Sequence, residues 1–246
     1  MNRDKMTISI VTPCYNSIKT IKKTLDSISS QKRPIDEHII IDGGSVDRTL
    51  ELLEVYRDNA DYPVKIVSEP DNGIYDAMNK GIKMVSGDLI GILNSDDWYE
   101  PDTVENICNA RKGSEHEIIY GMIGIYRDDK LKSMEFYHHD FLMERMINHP
   151  GCFVSRATYE DIGLFDLSYR SSGDYEWMKR AMDHSVTFTP VYKLLANVSV
   201  GGMSMSNVGF RETLKLQHDW GQVSTARYMA YSFKSHVGDL YRKIKR

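Results

Sequence analysis

Residues 8–28 read ISIVTPCYNSIKTIKKTLDSI, and the period changes partway along. Residues 8–11 are a short apolar, β-branched run; after Asn16 and Ser17, the residues Ile18, Ile21, Leu25 and Ile28 recur at helical spacing. The unit is strand, capped turn, helix, and it returns twice. Residues 38–41 form a second apolar run, Asp42-Gly43-Gly44-Ser45 a loop, and Asp47 stands where it would cap a helix carrying Leu50, Leu53 and Tyr56. Residues 64–67 open a third unit, with Asp71-Asn72-Gly73 as its turn. Ile74, Met78, Ile82 and Val85 mark its helix face, which ends at Ser86-Gly87, and residues 89–93 are one more buried strand. Strands alternating with helices of this length predict an α/β fold: a mostly parallel sheet flanked by helices, with right-handed connections. Ligands bind such sheets beyond the carboxyl ends of the strands, so attention falls on the loops at 12–16, 42–47, 68–73 and 94–98.

Past Pro101 a helix to about residue 112 precedes a strand over 118–126, and Arg127-Asp128-Asp129 reads as a hairpin turn. Residues 135–148 mix aromatics, methionine, His138 and His139, and read as a short helix or a mobile loop. Then come a strand at 152–154, helices at 159–164 and 175–184, and one or two strands over 186–200. Nothing signals a second core, so one domain is expected over 1–205 with a helical extension over 206–246. In the tail, Phe233, Val237, Leu240, Tyr241 and Ile244 share one helix face beside Lys234, Arg242, Lys243, Lys245 and Arg246. Such a basic amphipathic helix suits either docking on the domain or an anionic membrane surface.

Over 246 residues the chain is 41% hydrophobic and 27% charged, which excludes collagen-like, low-complexity and largely disordered chains. A net charge of −4 argues against a nucleic-acid coat, whose footprint is basic. Cys14, Cys108 and Cys152 are widely spaced and form no C-x-x-C pair, so they fit a reducing compartment better than a disulfide framework or a zinc site. No apolar run reaches the ~18 residues of a membrane span. The expected location is cytoplasmic, peripheral on the inner face of the membrane where the tail engages lipid.

The chemistry concentrates at GILNSDDW, residues 91–98. A buried strand ends in Asn94-Ser95-Asp96-Asp97, and adjacent carboxylates repel unless a cation joins them. Hard oxygen ligands few in number suit Mg²⁺ or Mn²⁺ shared with substrate phosphates, although an Asp before a helix also serves as a cap. Asp42, before two glycines, can accept hydrogen bonds from a base or a ribose hydroxyl, or simply close a tight turn. In the chain order ISIVTPCYN, IIIDGGSVDRT, EPDNGIYDAMNKGI, SGDLIGILNSDDWYEPD, NHPGCFVSRATYEDIGLFD and GDYEWMKR, the sequence resembles family 2 glycosyltransferases of the GT-A type over roughly residues 6–200.

The resemblance implies a Rossmann-like sheet and an inverting transferase that moves a sugar from a nucleoside-diphosphate sugar to a hydroxyl of a glycan or lipid-linked acceptor, in cell-surface polysaccharide synthesis. It implies that Pro13, Cys14 and Tyr15 lie against the nucleotide base, and that Asp42 holds base or ribose while Gly43 stands where a second acid is usual. Asp71 and Lys80 belong to the same donor site, and Met78 stands where a basic residue is often found. Asp96 and Asp97 would hold Mn²⁺ or Mg²⁺ and the diphosphate, with Asn94 where the family motif usually opens with Asp. His149 would face donor phosphates or acceptor. Asp174 would be the general base that takes the acceptor proton, with Gly173 replacing the usual first acid; an Asp at a helix start is otherwise an N-cap. Glu176, four residues before Arg180, reads as a helix ion pair and Trp177 as core. The replaced acids at 43, 94 and 173 leave one alternative, a non-catalytic nucleotide-sugar-binding module on the same fold.

Overall fold

The computed structural model describes residues 6–200 and 207–244, the stretch from 236 onward as helical backbone only. Its centre is β1 (Ile8–Cys14), flanked by β2 (Glu37–Asp42) and β4 (Leu89–Ile92), with β3 (Val64–Ser68) outside β2, and all these pairings are parallel. Every residue of β1, β2 and β4 is buried. Helices cover both faces of these strands, which is why they read as continuous apolar runs without alternation. In β2 the faces separate residue by residue, because successive side chains point to opposite sides. Ile39 and Ile41 join a core with α3 (Ile74–Ile82), α5 (Arg156–Ile162) and α6 (Gly173–Asp183), while Ile40 packs with α1 (Ile21–Ser29) and α2 (Thr49–Asn59).

The complete sheet has nine strands in the order β3-β2-β1-β4-β8-β6-β9-β5, with β7 on β6. Here β5 is Trp98–Tyr99, β6 Glu117–Arg127, β7 Lys130–Glu135, β8 Cys152–Ser155 and β9 Thr187–Ser199. The α/β expectation is borne out, and the parallel character belongs to the first four strands and to the β6–β9 pair. Strand β8 runs antiparallel to both β4 and β6, so the sheet as a whole is mixed. Asp128 and Asp129 adopt φ of 52° and 56°, the left-handed pair that a two-residue hairpin turn requires. Residues 135–148 form a 3₁₀ turn at His139–Phe141 within irregular chain, and Leu142 and Ile147 pin the segment into the core. Residues 187–199 make one continuous strand.

On the far face α4 (Thr103–Ala110) packs with β1, β4 and β6. The tail comprises α7 (Asn207–Asp219) and α8 (Thr225–Ile244). Leu216 of α7 enters the larger core, Trp220 meets Tyr175 edge-on at 4.9 Å, and Gln217 donates to the Glu144 carbonyl at 3.1 Å. The first tail helix therefore docks on α6. In α8, Met229, Tyr231 and Phe233 are exposed. Lys245 and Arg246 and the side chains of Val237, Leu240, Tyr241, Arg242, Lys243 and Ile244 lie outside the described residues. Among the described residues no helix is long and apolar enough to cross a membrane.

Candidate active site

Register places Cys14, Asp42 and Ser68 side by side at the carboxyl ends of β1, β2 and β3, so three loops leave the sheet from one edge. Short polar contacts join them. The Asn16 N–H donates to Ser45 Oγ at 2.8 Å, Val46 N–H to Asn16 Oδ1 at 2.9 Å, and Ser17 Oγ meets Ser95 Oγ of the fourth loop at 2.7 Å. Arg48, not Asp47, occupies the N-cap position of α2; Asp47 stands one residue earlier, accepting the Thr49 N–H at 2.9 Å and the Ile18 N–H at 3.3 Å. Pro13 and Cys14 are buried beneath the loop, and Tyr15 presents its ring outward with 60% of its surface exposed.

Asp42 is fully buried and its carboxylate is already engaged. It accepts from Ser68 Oγ at 2.6 Å, from the Ser45 N–H at 3.0 Å and from Ser45 Oγ. Its negative charge, second to burial, drives the Cys14 thiol far above its ordinary range. Asp42 thus clasps the ends of β2 and β3 together. Asp71 at this edge is half-buried; its Oδ1 accepts the Gly73 N–H at 2.8 Å and its Oδ2 has no such bond among the described residues. A Cβ at position 43 would lie 2.5 Å from Asp71 Oδ2 and 3.4 Å from Tyr15 Cδ2, so Gly43 is glycine to admit the Asp71 carboxylate. Lys80 is occupied within the same loop. It pairs with Glu69 at 2.8 Å and Asp76 at 3.7 Å and donates to the Pro70 carbonyl at 3.1 Å.

At the end of β4 the chain turns tightly, with the Asp97 N–H donating to the Asn94 carbonyl at 3.1 Å. Asp97 is buried: one carboxylate oxygen accepts the Ser199 N–H at 3.2 Å and the other accepts Asn94 Nδ2 at 3.2 Å. Asp96 is half-buried beside it. Desolvation raises both carboxyls above their usual range, and Asp97 is pushed further by the charge of Asp96. Asn94 Oδ1 is buried without a hydrogen-bond partner. Two desolvated carboxyls and a buried amide oxygen without a hydrogen-bond partner lie on this one turn, and such hard oxygens fit a divalent cation such as Mg²⁺ or Mn²⁺.

Asp174 stands in the first turn of α6, across the larger core from these loops in sequence but joined to α3 in space. Its Oδ1 accepts the Tyr75 hydroxyl at 2.9 Å and the Tyr175 N–H at 3.0 Å. Burial lifts its carboxyl from an ordinary 3.8 to about 6, and the Tyr75 hydrogen bond opposes that rise. Arg180 grips Glu176 through two bonds of 2.8 and 3.0 Å, and Trp177 is fully buried with its Nε1–H on the Gly163 carbonyl, both as expected. His149 is buried edge-on to Phe165, and burial lowers it to about 4, so it is neutral at physiological pH.

Two residues of this site escape a reading of the sequence. Tyr75 looks like one apolar position of a helix face. Glu212, on α7, accepts the backbone N–H groups of Arg170, Ser171 and Ser172 at 2.8–2.9 Å and so shapes the loop that leads into Asp174. Neither carries a local signal, since each acts on a segment far away in the chain. His138, His139 and Asp140, given no role from sequence, bring their ligand-type atoms within 4.8 Å of one another. Tyr120 accounts for part of that arrangement through a 2.7 Å contact of its hydroxyl with His139 Nδ1.

Comparison with known proteins gives the family and the fold. Residues 9–181 match the sequence profile of Glycosyl transferase family 2. A PGL/p-HBAD biosynthesis glycosyltransferase of Mycobacterium bovis is 30% identical over 213 residues, covering 84% of this chain and 82% of the relative. Glycosyltransferase AglE of Haloferax volcanii is 28% identical over 194 residues, covering 74% of this chain and 64% of AglE. Among solved structures, S. aureus TarS superposes with a TM-score of 0.68 at 19% identity, over 86% of this chain but only 39% of TarS. TarS 1-349 in complex with UDP-GlcNAc gives 0.68 at 18% identity, over 86% of this chain and 65% of that one. At such identities the TarS likeness speaks to the fold alone.

Proposed function

The chain belongs to glycosyl transferase family 2, and from that premise we propose that it moves a sugar, with inversion, from a nucleoside-diphosphate sugar to a hydroxyl of a glycan or lipid-linked acceptor. The observation that carries the reading is Asp174: a carboxylate at the mouth of α6, tuned to about 6 and fixed by Tyr75, which suits a general base working near neutrality. One oxygen holds the two structural hydrogen bonds, and the carboxylate has a second with which to take the acceptor proton as the new glycosidic bond forms. Tyr15 offers its exposed ring to the base of the nucleotide, and Asp71 offers a carboxylate to base or ribose. The buried Asp42 acts from behind, holding the loop ends in place.

Asn94, Asp96 and Asp97 are the residues that would hold Mg²⁺ or Mn²⁺. Such an ion supplies Lewis-acid neutralisation of the charge that gathers on the leaving diphosphate. TarS, similar in fold, was crystallised with UDP and with UDP-GlcNAc, which is in keeping with a nucleotide-sugar donor. A role in cell-surface polysaccharide synthesis at the inner face of the membrane belongs to the same proposal, with residues 127–149 and the tail as the acceptor side. Calorimetry with UDP and GDP, each with and without Mn²⁺, followed by donor turnover, tests the reading. Metal-strengthened binding of one nucleotide, with transfer abolished in Asp174→Asn and donor binding kept, is the expected result. Tight nucleotide binding without turnover on any acceptor would favour the non-catalytic module instead.

A further inference from the structure

The packing around Gly173 concerns the control of Asp174. A Cβ at position 173 would lie 2.9–3.1 Å from three ring atoms of Tyr75, Cε2, Cδ2 and Cζ. The Tyr75 ring is 5% exposed, tilts against Phe165 at 5.4 Å, and reaches Asp174 across ninety-nine positions of chain. Any side chain at 173 would require this buried ring to shift away from the first turn of α6. We infer that Tyr75 is a positioning residue of the transfer reaction: seated against Gly173, its hydroxyl holds the Asp174 carboxylate oriented and ionised.

The inference rests on Asp174 being the base. Its direction follows from what faces that carboxylate. From α3 comes the Tyr75 hydroxyl; from α6 itself, the Tyr175 N–H. From β8, α5 and α7 come the Cys152 thiol, the Tyr159 phenol and the Glu212 carboxyl. Burial drives the thiol and both phenols far above their ordinary ranges, so all three stay protonated, and Glu212 adds like charge. No cation faces Asp174 among these groups. The Tyr75 hydroxyl and the backbone N–H groups of Tyr175 and of Asp174 itself are the donors that favour the ionised form against burial, and of these only the hydroxyl can be removed by a side-chain substitution.

The test is a ¹³C-carboxyl NMR titration of the full chain, in which the Asp174 signal is identified by its absence from Asp174→Asn. Tyr75→Phe keeps the ring and loses the hydroxyl, and should move the midpoint upward from about 6 by on the order of one pH unit. Gly173→Ala, which displaces the ring, should move it in the same direction even if Tyr75→Phe folds poorly. Midpoints unchanged in the folded variants would overturn the inference, as would a Tyr75→Phe enzyme that loses activity equally at every pH. The acid limb of kcat/KM for transfer from UDP-GlcNAc, or whichever donor calorimetry selects, should shift with the NMR midpoint. If Asp174→Asn retained transfer while the NMR midpoint still moved, the base assignment would fall and the hold of Tyr75 on Asp174 would stand. An inactive Asp174→Asn with an unmoved Tyr75→Phe midpoint would sink the Tyr75 inference alone.

Discussion

Asp174→Asn should cost the enzyme its transfer activity and make the folded chain more stable. In the wild type, burial raises the carboxyl from 3.8 to about 6, so the fold prefers the protonated form. The stabilisation of that form is complete below the unfolded value of 3.8 and is lost as pH rises through about 6. At ~1.4 kcal/mol per pH unit the loss approaches about 3 kcal/mol by neutrality, an upper bound because part of the Asp174 surface stays open to water. Asparagine is neutral at every pH, and its amide oxygen can keep the bonds from the Tyr75 hydroxyl and the Tyr175 N–H. Urea unfolding of both proteins at several values between about pH 4 and pH 8 reads the difference directly. The advantage of the variant should be smallest at the acid end, grow through about pH 6 and then level off. A constant difference across the range, or one that is largest in acid, would refute the claim that the site holds Asp174 against its own solvation. The same titration predicts that kcat/KM falls about tenfold per pH unit below about pH 6.

Gly43→Ala should push Asp71 aside and weaken donor binding about tenfold with little change in stability; calorimetry giving an unaltered Kd would remove Asp71 from the donor site. Glu212→Ala strips the acceptor from three N–H groups, at a cost of about 1–3 kcal/mol in unfolding experiments, and should lower kcat more than donor affinity. Equal kcat in that variant would show that the 170–172 loop does not need α7. Deleting the chain after Phe233 should release the protein from anionic vesicles, and undiminished binding in a sedimentation assay would rule out the tail as a membrane contact.

The half of the sheet formed by β1 to β4 was legible because burial on both faces leaves a contiguous apolar signature, as in residues 8–11 and 38–41, and because Ile21, Leu25 and Ile28 repeat at 3.6. The hairpin at Asp128-Asp129 was legible for its turn chemistry. Strand β5 was not, since two residues cannot display a period. The antiparallel insertion of β8 was hidden as well, because strand direction is decided by partners and the four residues of β8 read the same either way. Within the site, Asp96, Asp97 and Asp174 stood out as acids at element boundaries. Sequence could not reveal that Asp97 points inward to the Ser199 N–H, that Asp42 is consumed by two serines, or that Lys80 is tied to Glu69. Each of those facts depends on a partner brought near by the fold.

The stretch from Asp71 to Tyr75 sends one side chain into the space beside Gly43 and another into the space beside Gly173. Positions 43 and 71 therefore form a lock with one key, and so do 173 and 75. An acid at 43 would meet the Asp71 carboxylate and a larger residue at 173 the Tyr75 ring, so a change at either glycine requires its partner to move. Relatives that carry a larger residue at either glycine should differ at the matching position of this five-residue segment too. A count of motif acids along the chain would then report a decayed site where the same space is simply filled from another direction.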